Sequence, residues 1–175
     1  MVLTRANIGC GSIQPGDWYN LDMGLLHDAQ NWDVRRPWLG PDLFDYAVCS
    51  FMLQELNHHE IPGALENMMA ILKPGGTLRI LVPDVRNAID AYQRADEAWF
   101  PQDDRTGGLE AKFCTMLTWY GTVRSVFSRG YLQDLCRPYG SVHCCAFRET
   151  VSGHPGIIDL DSRKKEALIV EIYKS

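Results

Sequence analysis

A length of 175 residues allows one domain with a sizeable core, and 46% apolar with 22% charged residues is a globular composition, which excludes a disordered chain. The net charge of −5 argues against nucleic acid or an anionic membrane as partner, since both need clustered Lys and Arg. Cys10, Cys49, Cys114, Cys136, Cys144 and Cys145 form no CxxC pair, so no metal site is expected, and the thiols read as reduced ones in a cytoplasmic protein. The opening MVLTRANIGCG has no apolar h-region, so no signal peptide is expected. No apolar run approaches the roughly 18 residues of a membrane span.

Leu3 to Ile8 reads as a short strand running into Gly9-Cys10-Gly11, and Trp18 to Asp22 as a second strand after the turn Pro15-Gly16-Asp17. Phe44 to Ser50 is an apolar run suited to a buried parallel strand. Glu60 to Leu72 has helical spacing, with Ile61, Leu65, Met68, Met69 and Leu72 on one face and Pro74-Gly75-Gly76 as its stop. Thr77 to Val82 is a central strand, and Val85 to Ala95 and Gly130 to Arg137 read as helices. Val142 to Phe147 and Ala167 to Tyr173 are the last two strands, with no clear helix between them, so the final one is expected to insert antiparallel. The alternation predicts a single α/β domain over 1–175 with a mostly parallel Rossmann-like sheet, whose ligand lies beyond the carboxyl ends of the strands.

Four groups carry candidate chemistry. Gly9-Cys10-Gly11 after the first strand is either a tight turn or a close approach to a ligand, and it lacks both the third glycine of a dinucleotide fingerprint and the ending of a P-loop. Asp22 at the end of the second strand is either a turn aspartate or an acceptor for a ribose diol. Asp33, followed by Val34, is either a solvated loop carboxylate or a partner for an adenine amino group. Ser50, Phe51 and Met52 end the buried strand and either fill core or wall a ligand.

Taken together, NIGCG…PGDWYNLDM, WDVRRPW…FDYAVCSFMLQEL and ILKPGGTLRILVPD resemble the class I S-adenosylmethionine-dependent methyltransferases, nearest to a small bacterial and phage type whose first motif reads NLGCG…PGWINVD. The likeness covers residues 1–84 and continues more loosely to the closing GHPGIIDLDSRKKEALIVEIYK. The resemblance implies S-adenosylmethionine as cofactor and S-adenosylhomocysteine as product. It places Gly9, Cys10 and Gly11 on the methionine part, Asp22 on the ribose with Met23 near the adenine, Asp33 and Val34 on the adenine edge, and Ser50, Phe51 and Met52 beside the sulfonium. Asn7 departs from the family's usual acidic residue there, and only ten residues separate Gly11 from Asp22, too few for a crossover helix. An extended link is expected instead.

Methyl transfer mainly needs an acceptor held in line, with a general base where the acceptor is a hydroxyl. Candidates after strands are Asp84, His58, His59 and His154, each of which is otherwise a surface or satisfied side chain. His154 is preferred because its glycine-rich loop brings an imidazole of near-neutral pKa toward an acceptor, with Asp84 second. The stretch 96–130 reads as a lid or acceptor insert; its aromatics Trp99, Phe100, Phe113, Trp119 and Tyr120, with Phe127 and Tyr131 at its end and Arg124 and Arg129 among them, either build a pocket or pack on the sheet or on a second copy, as in a homodimer. Ser50-Phe51-Met52-Leu53 lacks the (Asp/Asn)-Pro-Pro-(Tyr/Phe) loop of amino-methylating DNA enzymes. Small molecules, sugars or a protein side chain remain as acceptors, for O- or N-methylation, and the resemblance implies a glycan or small-metabolite hydroxyl. The alternatives are an inactive S-adenosylmethionine-binding partner or regulatory module, and an aminopropyl transferase or nicotinamide enzyme on a related fold.

Overall fold

Apolar runs with few polar breaks become the middle of the sheet. The computed structural model, which describes residues 4–24, 29–39, 44–102 and 107–174, contains β1 (Arg5–Ile8), β2 (Tyr19–Asp22), β3 (Gln30–Asn31), β4 (Phe44–Ser50), α1 (Ile61–Ala70), β5 (Leu72–Pro83), α2 (Val85–Gln93), α3 (Leu109–Thr118), α4 (Arg129–Cys136), β6 (Ser141–Cys145) and β7 (Ala167–Tyr173). One seven-stranded sheet runs in the order β3-β2-β1-β4-β5-β7-β6. The strands from β3 to β5 pair in parallel, and β7 is antiparallel to both its neighbours. This is the mostly parallel sheet with an antiparallel last strand expected from the sequence. Leu3, taken above as the start of the first strand, lies outside the described residues.

Most boundaries shift by one or two residues, β3 and α3 are additions to the expected elements, and the start of β5 moves furthest. The first helix ends at Ala70, not Leu72, and the chain becomes extended before Pro74-Gly75-Gly76 rather than after it. The glycines instead sit inside β5, where the pairing with β4 shifts register between Phe44 and Tyr46 and the Gly75 N–H donates to Lys174 O at 3.0 Å. The link from Gly9 to Trp18 contains turns and no helix, as its length requires.

The sheet's two faces are covered differently. On one, Ile61, Ala64, Leu65, Met68 and Met69 of α1 and Leu132 and Cys136 of α4 pack on Ala47, Cys49, Ile80 and Val170; the α1 spacing of three and four residues makes that apolar stripe. On the other, Trp18, Tyr46, Val48, Leu81 and Ile169 meet Ile157 from the irregular segment 146–166. That segment is tied down by a buried ion cluster. Arg79 of β5, fully buried, grips Asp161 bidentately at 2.8 and 2.7 Å and reaches Glu171, its cross-strand partner on β7, at 2.6 Å. Asp161 also accepts from Arg148 N–H at 2.8 Å and Glu171 from Val151 N–H at 3.0 Å, so each charge is met. No helix among the described residues is long and apolar enough to cross a membrane.

Candidate functional site

The chain leaves β1 through Gly9, with φ of +66°, and Gly11, with φ of +51°. A Cβ on Gly9 would lie 2.4 Å from Met52 Cγ, so only glycine lets the turn and the end of β4 come this close. The N–H groups of Gly9 and Cys10 both donate to Leu21 O, at 2.8 and 3.2 Å. Gly11 N–H donates to Asp22 Oδ2 at 2.9 Å, and Gly24 N–H to Asp22 Oδ1 at 3.0 Å. The glycine turn and the carboxylate therefore meet at one rim of the sheet, and an ionised carboxylate with about four acceptor positions keeps capacity for further donors.

Asn7 has a local use. Its amide nitrogen donates to Ile13 O at 2.7 Å and to Asn20 Oδ1 at 3.1 Å, while Asn20 donates to Pro15 O at 3.0 Å. These bonds fold the shortened link against β1 and β2. A carboxylate at position 7 has no N–H to give, which is a physical reason for an amide here.

Three cavities converge at the carboxyl ends of the strands. The main one, about 500 Å³, is lined by Gly9, Gly11, Asp22, Met23, Asp33 and Val34, with Phe51 and Met52 opposite. A side cavity of about 200 Å³ continues past the same glycines to Asn7, Cys10 and Ser50. The structure thus brings the eleven cofactor-site candidates to these two spaces. An inner cavity of about 80 Å³ holds Asp84 and shares Phe51, Glu55 and Thr122 with the main one. Phe51 borders all three. It, Trp119 and Arg163, all at the inner cavity, have φ of 53°, 44° and 52°, a left-handed conformation that side chains rarely adopt and that clusters at functional sites.

Not every candidate is free to act. Arg35 binds Asp33 through Nε and a terminal nitrogen, both at 2.8 Å, and holds its carboxyl below the usual carboxylate range. The same guanidinium reaches Glu60 at 3.1 Å and Met23 Sδ at 3.2 Å. Burial, with the Asp22 charge behind it, pushes the Cys10 thiol up, which makes it wall rather than nucleophile. Asp84 caps α2 by accepting from Arg86 N–H at 3.0 Å. His154 lines none of the three cavities; it stacks on Tyr46 with ring centroids 5.0 Å apart, early in β4 and away from its carboxyl end. His58 bonds Tyr131 OH at 3.0 Å and is exposed.

The segment 96–130 supplies much of the inner cavity through Met116, Leu117, Trp119, Thr122, Val123 and Val126; of its other aromatics Tyr120 is exposed and the rest pack inward. Phe100 is buried against Met116 and Ala91 with Trp99 and Phe113 around it, and Phe127 is buried and stacked on Tyr131. Arg124 faces the main cavity instead. Residues 103–106 of the segment lie outside those described. Sequence reasoning missed Trp32 and Arg35 in the main cavity and Gln54, Glu55, Arg163 and Glu166 in the inner one. Trp32 and Arg35 flank Asp33 and Val34, so the motif itself pointed to them; the others carry no local signal.

No protein-family model and no curated protein matches the sequence. Solved structures share the fold. A SAM-dependent methyltransferase from Thermotoga maritima aligns over 100% of this chain and 84% of its own at 15% identity, with a TM-score of 0.59. The plantazolicin methyltransferase, solved with a triazolic substrate analog and S-adenosylhomocysteine, aligns over 99% and 77% at 10% identity, with a TM-score of 0.60. The N-methyltransferase NodS from Bradyrhizobium japonicum, solved with S-adenosylhomocysteine, aligns over 98% and 78% at 13% identity, with a TM-score of 0.53. The fold of this chain is the class I methyltransferase fold.

Proposed function

We propose that the chain is an S-adenosylmethionine-dependent methyltransferase acting on a small molecule held in the inner cavity. The observation that carries this is the Gly11–Asp22 bond at the mouth of a cavity that opens, at Phe51, into a second one. The residues fit the cofactor. Gly9 is a cradle that a Cβ would fill, and Asp22 retains acceptor capacity for the ribose hydroxyls. Trp32, Val34 and Met23 offer apolar surface for the adenine, while Asp33 takes its amino edge beside Arg35. Cys10, Gly11 and Ser50 line the space for the methionine part, with Asn7 behind them. When bound, S-adenosylmethionine supplies a sulfonium methyl group and a neutral thioether as leaving group. The chain's part is positioning: Phe51 and Met52 wall the junction, and the insert residues keep water from it. Asp84 is offered as a polar group facing the acceptor. His154, stacked on Tyr46, is offered as a structural residue.

A second reading, a cofactor-binding module without turnover, draws on the helix-free link between β1 and β2. Calorimetry with S-adenosylmethionine, S-adenosylhomocysteine and NAD tests the main reading. Micromolar binding of the sulfur ligands alone is expected. Failure of both at millimolar concentration overturns it, and binding without methylation of any compound in a broad acceptor panel favours the second reading.

A further inference from the structure

The polar groups of the inner cavity are unevenly committed. Its amide and hydroxyl donors are engaged: Gln54 Nε2 donates to Phe51 O, Thr122 Oγ1 to Trp119 O at 2.9 Å, and Ser125 Oγ to Leu56 O at 2.7 Å. Its acceptors are not. Gln54 is 5% exposed and its Oε1 has no hydrogen-bond partner. Among the described residues the Glu55 carboxylate, on an exposed residue, makes no hydrogen bond or ion pair, and the Asp84 carboxylate meets only a backbone N–H of its own helix, so Gln54 Oε1 is the buried acceptor of the three. Arg163 is the cavity's one cationic side chain; it lies over the rings of Phe51 and Trp119, at 4.8 and 5.3 Å, with Glu166 3.9 Å away. Arg124 and Arg163 attract the Glu55 carboxylate without bonding it, and among the described residues no cationic side chain binds Asp84.

A buried acceptor with no partner is costly and calls for a donor from outside the chain. A hydroxyl brings one N–H or O–H equivalent and no charge. An ammonium group brings several donors and the positive charge that two carboxylates favour. The remaining walls, Pro83, Val85, Met116, Leu117 and Val126, suit an apolar body behind it.

Resting on the methyltransferase reading, we propose that the inner cavity takes an organic amine as its ammonium ion, Gln54 Oε1 accepting one N–H and the Glu55 carboxylate a second, and that Glu55 removes the proton the nitrogen must lose before it can accept a methyl group. In that step the N–H bond breaks, its electron pair stays on nitrogen and the proton goes to a Glu55 carboxylate oxygen. The product is a neutral amine with a free lone pair beside a neutral carboxyl. Glu55 is well placed for this, since it lies on the border between the main and inner cavities. Burial and the Asp22 charge push its carboxyl up, against Arg124 and Arg163, which suits a group that must hold a proton.

Ligand-observed NMR titration of the whole chain with butylamine, butanol and butyrate, with and without S-adenosylhomocysteine, tests the inference. Butylamine is expected to bind at least about tenfold tighter than butanol, with butyrate weaker still. Gln54→Met should reduce that preference about tenfold while S-adenosylhomocysteine affinity stays the same, Glu55→Gln should reduce it by a similar factor, and Gln54→Glu should retain it. Equal affinity for butylamine and butanol in protein that binds S-adenosylhomocysteine overturns the amine site and leaves the methyltransferase reading standing. An amine preference in protein that binds no S-adenosylhomocysteine supports the site and overturns that reading.

Discussion

Arg79 and Glu55 both carry charge near the carboxyl half of the sheet, and they are treated in opposite ways. Around Arg79 each carboxylate and N–H is paired and sealed from water. Around Glu55 the acceptors are left over, the backbone is bent into left-handed conformations and a cavity stands open. Charges that satisfy one another hold a fold together; charges and carbonyls without partners are where a ligand completes the structure. The first cluster replaces a covering helix, since it ties the irregular segment 146–166 to β5 and β7. The second is where chemistry is proposed.

The contrast can be broken by mutation. The largest effect is expected for Arg79→Met, which leaves Asp161 and Glu171 buried without a counter-charge; a loss of about 3–5 kcal/mol in denaturant unfolding is expected. A loss under about 1 kcal/mol would mean that the cluster is not structural. Next, Asp22→Ala should weaken S-adenosylhomocysteine binding by about 1–3 kcal/mol in calorimetry, with unfolding affected less, because the carboxylate also holds Gly11 and Gly24. An unchanged affinity removes Asp22 from the ribose. Asn7→Asp should lower stability by about 1–2 kcal/mol, since it sets a carboxylate against Ile13 O and Asn20 Oδ1 in a site only 3% exposed.

A smaller effect sharpens the comparison, because it concerns a paired carboxylate of ordinary kind. Burial raises the Asp45 carboxyl, but the Thr4 N–H at 2.7 Å and Lys73 at 2.9 Å outweigh it and bring it down to about 2. A carboxyl depressed from an unfolded value of about 3.9 stabilises the fold above that pH and loses its contribution as pH falls toward 2. Asp45→Asn should therefore lower the melting temperature by about 2–4 °C at pH 7, the scale of 1 kcal/mol for a chain of this size, and by progressively less as pH falls through 2. Glu55, unpaired, should show no such stabilising contribution.

The glycine turn, Asp22 and the strands β1, β2, β4 and β5 were legible because their signals are local: apolar runs, a turn residue and an acid at a strand end; the two residues of β3 carry no such signal. The helix-free first link followed from counting residues. The reason for Asn7 in place of an acid was not legible, because its partners, six and thirteen residues away, show only once the link is folded. His154 was preferred for its loop's composition, which says nothing of which end of the sheet the loop reaches; it reaches Tyr46.

The sequence by itself determined the order of the strands and helices other than β3 and α3, the close turn at Gly9 and the acid at the end of β2, since backbone sterics and hydrophobic periodicity act between near neighbours. Only the tertiary structure decided that Arg79 meets Asp161 across 82 residues, that Phe51 stands where three cavities join, and that Gln54 Oε1 and the Glu55 carboxylate face an insert more than sixty residues downstream without a hydrogen-bond partner. Pairing between distant polar groups depends on where each chain segment packs, and that is set by the whole core at once rather than by any stretch of it.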